Sequence, residues 1–198
     1  MPNGVDCAHY AGIPLGRRSG DPLILYVGAM SWAPNASAAV FLAREALPRI
    51  QSTCPNVRLR IVGRQPPRAV AELARLPAVE VTGAVPDVRP HLRAAHVLAV
   101  PLETGGGSRL KILEAFAAGL PVVSTAVGCE GLEALDARHL VIAERRDFAE
   151  AISWLLQNPA AAESLAREAR NLAMARYDWQ AIGTAACAVL KSVMKAAG

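Results

Sequence analysis

Apolar residues gather in six short runs along the chain, at 23–28, 57–63, 79–82, 96–101, 121–125 and 139–143, rich in Val, Leu and Ile. Short apolar runs bounded by Gly, Pro and polar residues predict strands, and near-continuous ones predict burial on both faces of a sheet. Between them, apolar residues recur every three or four places over 35–51, 67–75, 87–94, 109–118, 147–157 and 160–176, which predicts helices, with a last helix from Trp179. Residues 1–22 carry Gly and Pro with Arg17 and Arg18 and read as linker rather than core. Trp154, inside the apolar stretch 151–156, is expected in the core.

Strands separated by helical stretches need right-handed crossovers, so the pattern predicts an α/β, Rossmann-like, doubly wound and mostly parallel sheet over 23–176. A closing helix occupies 177–198. The 198 residues, 53% of them hydrophobic, are enough for one such domain. The net charge of +4, from 21 basic and 17 acidic residues, comes with no Lys/Arg block and no aromatic series, which argues against nucleic acid as a partner. Cys7, Cys54, Cys129 and Cys187 are scattered without paired spacing, so reduced thiols are expected and no metal. His9, His91, His96 and His139 lack metal spacing and are given structural roles. No basic-then-apolar leader and no apolar run near ~20 residues is present, which predicts a cytoplasmic protein.

The chemistry concentrates at 103–116. Gly105, Gly106 and Gly107 follow an apolar run that ends near Pro101, and the helix after them carries Arg109, Lys111 and Glu114. Consecutive glycines let a ligand approach the backbone, and a helix start offers N–H groups, here expected from Gly107, Ser108, Arg109 and Leu110, to an anion. Cations in a first helical turn oppose the helix dipole at a cost of about 0.3–1 kcal/mol each, so a bound anion is the simplest reason for two of them, and a diphosphate would suit the cradle. Glu114 follows Lys111 by three residues, where it could accept hydrogen bonds from sugar hydroxyls. The same residues also fit a plain turn with Ser108 as helix cap and a solvated Lys111/Glu114 pair.

Pro101, the glycine-rich turn, the stretch from Leu110 to Ala115, and the run from Ala118 and Gly119 through Leu120, Pro121, Val122 and Val123 closely resemble the nucleotide-binding half of GT-B glycosyltransferases of the GT4 group. Gly28 with Ser31, Trp32, Ala33, Pro34 and Asn35 is similar to the family's first strand and turn. The segment from Val79 through Asp87 is similar to its base-binding loop, and Pro2, Asn3, Gly4, Val5 and Asp6 to its interdomain segment. The resemblance covers nearly the whole chain but only half of such an enzyme. It implies a donor-binding domain of a retaining, metal-independent glycosyltransferase that moves a sugar from a nucleoside diphosphate sugar to an unidentified acceptor. No cofactor is implied beyond that donor.

The family's roles fall on named positions. Arg109 and Lys111 would stabilise the leaving diphosphate, with Gly105, Gly106, Gly107, Ser108 and Leu110 forming the cradle and Gly28 bordering the phosphates. The backbone of Val85 would hold the base and Glu114 the ribose. Two departures stand out. Where the family carries an arginine and a lysine after its first strand, this chain has Ala29 and Asn35, so Arg109 and Lys111 are expected to compensate. Where the family carries its first acid, separated from Glu114 by seven intervening residues, the chain has Gly106, and Glu103 is the acid that could reach the sugar instead. Trp32 could line the donor pocket or simply pack.

The acceptor site of the family lies in an N-terminal domain without counterpart here. An inactive or weakly active chain is therefore expected, one that needs a further domain or, alternatively, serves as a noncatalytic nucleotide-sugar-binding subunit beside a separate acceptor-binding chain. In a full enzyme a peripheral place at the inner face of the membrane stays open. Ile182, Val189, Leu190 and Val193 make an apolar stripe on the closing helix, which predicts self-association. A dinucleotide oxidoreductase with Arg64 reading a 2′-phosphate is the rival from another class. The turn after Gly28 lacks the Gly-x-Gly-x-x-Gly spacing that reading requires.

Overall fold

A computed structural model describes residues 3–16, 18–105 and 107–196. Pro2, Arg17 and Gly106 lie outside the described residues, as does the side chain of Leu190. Six strands, β1 Leu23–Val27, β2 Arg58–Val62, β3 Val79–Gly83, β4 Val97–Val100, β5 Val122–Ser124 and β6 Val141–Ile142, form one sheet in the order β3-β2-β1-β4-β5-β6. Every pairing is parallel. Each expected run holds a strand, trimmed at most by a few residues. The central strands explain why their sequences are so apolar: Ile24, Leu25 and Tyr26 of β1 and all of β4 are shut away from water on both faces.

Helices fill the crossovers. After β1, α1 Ala33–Phe41 runs through a π turn at Leu42–Ala46 into α2 Leu47–Gln51. Pro48 has no N–H to give, and the widened turn just before it is how the helix passes that break. α3 Arg68–Ala71, α4 Arg89–Ala94, α5 Leu110–Ala117 and α6 Ala126–Cys129 follow, then α7 Phe148–Gln157, α8 Pro159–Leu172 and α9 Trp179–Ala196. From β1 the chain winds one way to β3, and from β4 the other way to β6. Right-handed crossovers therefore send α1 and α5 to opposite faces. α2 packs with α7, and α5 with α8.

Two expectations change. The segment expected as linker is not merely linker: Val5, Tyr10 and Ile13 are buried in the core. A 3-10 turn at Cys7–Tyr10 opens on Asp6, whose carboxylate accepts from the His9 N–H. Val5 donates its N–H to the Tyr177 carbonyl at 2.7 Å and accepts from the Trp179 N–H at 3.2 Å, which ties this strap to the start of α9. Trp154 is not core. It is 47% exposed, because it lies on the outer side of α7, whose inner side is filled by Phe148, Ile152 and Leu155. His96 and His139 have structural roles, each accepting a backbone N–H at Nδ1, from Leu23 and Leu135.

Candidate active site

The reversal of strand order between β1 and β4 opens a crevice at the carboxyl ends of those strands, the place where open parallel sheets bind ligands. The turn from β1 to α1 lines one side and the glycine-rich loop from β4 to α5 the other. Gly105 has φ of +127°, in the region that favours glycine, and a Cβ there would collide with the Trp32 indole ring. The two loops therefore touch through Trp32, which is still 40% exposed. Gly28 answers a second close approach, since a Cβ on it would sit 2.7 Å from the Asn35 amide nitrogen.

α5 begins later than the sequence suggests. Arg109, not Ser108, is its N-cap, in a left-handed conformation with φ of +53°, and no side chain caps the helix. Ile112 N–H is taken by the Arg109 carbonyl at 2.9 Å, so the N–H groups that open the helix belong to Leu110 and Lys111 rather than to Gly107 and Ser108, which are exposed residues of the loop. The Arg109 side chain is only 7% exposed. It donates Nη2 to the Gly105 carbonyl at 3.0 Å and Nε to the Glu130 carbonyl at 3.2 Å, with the Glu130 carboxylate 3.5 Å away, so it props the loop from beneath. Its Nη1 makes no hydrogen bond among the described residues.

Lys111 reaches across the crevice. Its ammonium donates to Asn35 Oδ1 at 2.9 Å and stands 4.8 Å above the Tyr26 ring. Asn35 is buried, accepts a second bond from the Tyr26 hydroxyl at 2.8 Å, and donates to the Ala29 carbonyl at 3.0 Å. Burial, then the nearby Arg109 charge, brings Lys111 down to about 8, against the opposing pull of Glu114. One turn further, Glu114 accepts a hydrogen bond at Oε1 from the Tyr10 hydroxyl at 3.1 Å. Burial raises its pKa, and the Tyr10 hydrogen bond, His9 and Lys111 offset part of that. Lys111 and Glu114 are thus not a solvated pair with each other. Each is committed to a partner far away in sequence.

The chain matches the family model described as glycosyl transferases group 1 over residues 21–158. This protein belongs to that family of glycosyltransferases. A glycogen synthase of Mycobacterium tuberculosis is 30% identical over 94% of this chain and 46% of its own length, and a phosphatidyl-myo-inositol mannosyltransferase of the same species is 29% identical over 98% and 53%. The chain thus spans about half the length of these curated relatives. Among solved structures, a sucrose-phosphate synthase from Thermosynechococcus elongatus superposes with a TM-score of 0.75 at 22% identity, covering 99% of this chain and 52% of that one. Anabaena HepE, solved in complex with UDP and glucose, gives 0.73 at 17% identity over 96% and 55%. The C-terminal domain of LpcC from Francisella tularensis gives 0.70 at 16% over 89% of this chain and all of that one. At these identities the likeness establishes the GT-B type of fold.

Of the residues singled out in the sequence, Gly28 directly follows β1, Gly105 and the exposed Gly107 and Ser108 lie on the loop from β4 to α5, and Arg109 caps α5, which carries Leu110, Lys111 and Glu114. Gly106 falls outside the described residues. Val85 follows β3 at the same edge of the sheet, two strands from β1, and packs partly on the core. Glu103 has a partner the sequence did not suggest: Arg145, 2.7 Å away. Arg145 also donates to the Pro101 carbonyl at 3.0 Å and lies 4.6 Å from the Phe41 ring centre. Its place just after the last strand, at the ligand-binding edge of a parallel sheet, was the one signal available for it. Nothing local announces Tyr10, 104 residues from Glu114.

Proposed function

We propose that this chain is the donor-binding domain of a retaining, metal-independent glycosyltransferase that uses a nucleoside diphosphate sugar. The observation that carries the reading is the Lys111 ammonium seated on Asn35 Oδ1. Residue 35 is where GT4-type sequences place a diphosphate-holding lysine, and here a lysine from the opposite loop brings its charge to the tip of that residue. Arg109 props the loop and keeps Nη1 for the donor, the N–H groups of Leu110 and Lys111 face the diphosphate, and Gly28 and Gly105 allow its close approach. As the glycosidic bond to the diphosphate breaks, negative charge grows on the departing oxygen, and fixed donors aimed there favour the transition state. Glu114 accepts from the ribose and the Val85 backbone from the base. Glu103, already engaged by Arg145, borders the donor sugar.

HepE was solved with UDP and glucose, which makes UDP a sensible first probe. The acceptor site lies in the half of the relatives that this chain does not match, supplied by the same polypeptide or by a separate one, so the isolated chain binds donor and transfers little. No cofactor beyond the donor is required, and the setting is cytoplasmic. No described helix is long and apolar enough to cross a membrane. Calorimetric titration with UDP, GDP and ADP tests the reading. Lys111→Glu and Arg109→Glu are each expected to weaken the bound nucleotide by about 10- to 100-fold, the range of a lost charge-assisted hydrogen bond. An unchanged dissociation constant in both variants refutes the compensation.

A further inference from the structure

The strap at 3–13 packs against α5 through its 3-10 turn. It is fastened at several points: Val5 to the start of α9, the Cys7 N–H to Asp178 at 3.0 Å, the Gly12 carbonyl to Arg93 at 2.8 Å and the Ile13 carbonyl to Arg170 at 2.7 Å. Tyr10, 6% exposed, is held between these anchors with its ring edge-on to His9. Its hydroxyl ends on Glu114 Oε1, while Oε2 forms no hydrogen bond among the described residues. A carboxylate on an unanchored side chain would lose rotamer freedom on gripping a ligand. One fixed through a single oxygen has lost it already and presents the other oxygen for use.

We propose that Tyr10 is a positioning residue for nucleotide recognition: its hydroxyl fixes Oε1 of Glu114 so that Oε2 stands ready to accept from the ribose hydroxyls. This rests on the assignment of the crevice as a nucleotide-sugar site, and it adds a contribution from the N-terminal strap that the glycine-rich loop and its helix do not contain. The hydroxyl also offsets part of the rise that burial imposes on the pKa of this carboxyl, and so favours the ionised form that accepts hydrogen bonds. Tyr10→Phe removes that hydrogen bond and keeps the packed ring.

The test compares the unmodified chain, Tyr10→Phe and Glu114→Gln by titration with UDP and with 2′,3′-dideoxy-UDP. The unmodified chain is expected to prefer UDP, and Glu114→Gln to lose that preference. Tyr10→Phe is expected to bind UDP about 3- to 10-fold more weakly while binding the dideoxy compound unchanged. It should also move the acid limb of UDP binding to higher pH, because Glu114 without its donor protonates sooner as pH falls. Equal weakening toward both nucleotides, or no weakening toward either, overturns the role of Tyr10 while leaving the site standing. Absence of UDP binding by the unmodified chain overturns the site assignment and this inference together.

Discussion

Lys111, assigned to the proposed site, carries a charge that the fold disfavours. Its pKa near 8, against an ordinary value of ~10.4, means that the folded protein disfavours the ammonium by about 3 kcal/mol. The unfolded chain holds the proton up to the higher value. Between the two the unfolded state binds more protons, so this penalty is present in full below pH 8 and fades as pH rises toward 10.4. A bound diphosphate favours the charged form and raises the pKa again. Above pH 8 binding must therefore take up a proton, and UDP affinity should fall as pH increases, by at most about tenfold per unit. Titrations in buffers of different ionisation enthalpy measure that uptake directly. Lys111→Met should abolish it, and a UDP affinity flat from pH 7 to 9.5 in the unmodified chain would be inconsistent with an ammonium at the phosphates.

At the level of elements, the same crevice depends on pieces that are far apart in the chain, and Arg170 on α8 is a joint between two of them. Its Nε donates to the Ala117 carbonyl at the end of α5 at 3.0 Å, and its Nη2 to Ile13 of the strap. Arg170→Met should cost about 1–3 kcal/mol through the carbonyls left without a donor. The loss should be local. Amide exchange should quicken over 5–13 and leave β1 and β4 protected, whereas a uniform rise across the sheet would place the joint elsewhere. Such joints also mark where sequence reading stopped. The central strands were legible because burial on both faces writes itself as continuous apolar runs, the half-buried edge strands β3 and β6 because short apolar runs are bounded by polar and turn residues, and the turn at Gly105 because its positive φ favours glycine. α6 was missed, since Ala126–Cys129 is one turn long and too short for periodicity, with only the Thr125 cap to signal it. Arg109 at positive φ was misread as a position inside the helix, because its conformation is held by Gly105 and Glu130 and not by local propensity. The pairing of Lys111 with Asn35 spans 76 residues, a contact that only the folded sheet brings about.

For the molecule as a whole, one apolar surface outside the proposed donor crevice lies on α9. Ile182 turns inward at 5% exposure, yet Trp179, Val193 and Met194 stand 49%, 61% and 74% exposed along the same helix. Scattered apolar residues on a surface are ordinary, but several on one helix make a face that water does not favour, and a net charge of only +4 gives little electrostatic repulsion to keep copies apart. Relatives about twice as long have additional chain that could cover such a face. In the isolated chain a second copy is the available cover. The weight-average mass from light scattering should therefore climb with protein concentration, and Val193→Glu combined with Met194→Glu should hold it at the monomer value without altering UDP affinity, because neither residue belongs to the crevice. A constant monomer mass for the unmodified chain across the whole series would show that the exposed face of α9 is tolerated by solvent, and the case for self-association would then fail while the donor site stood unaffected.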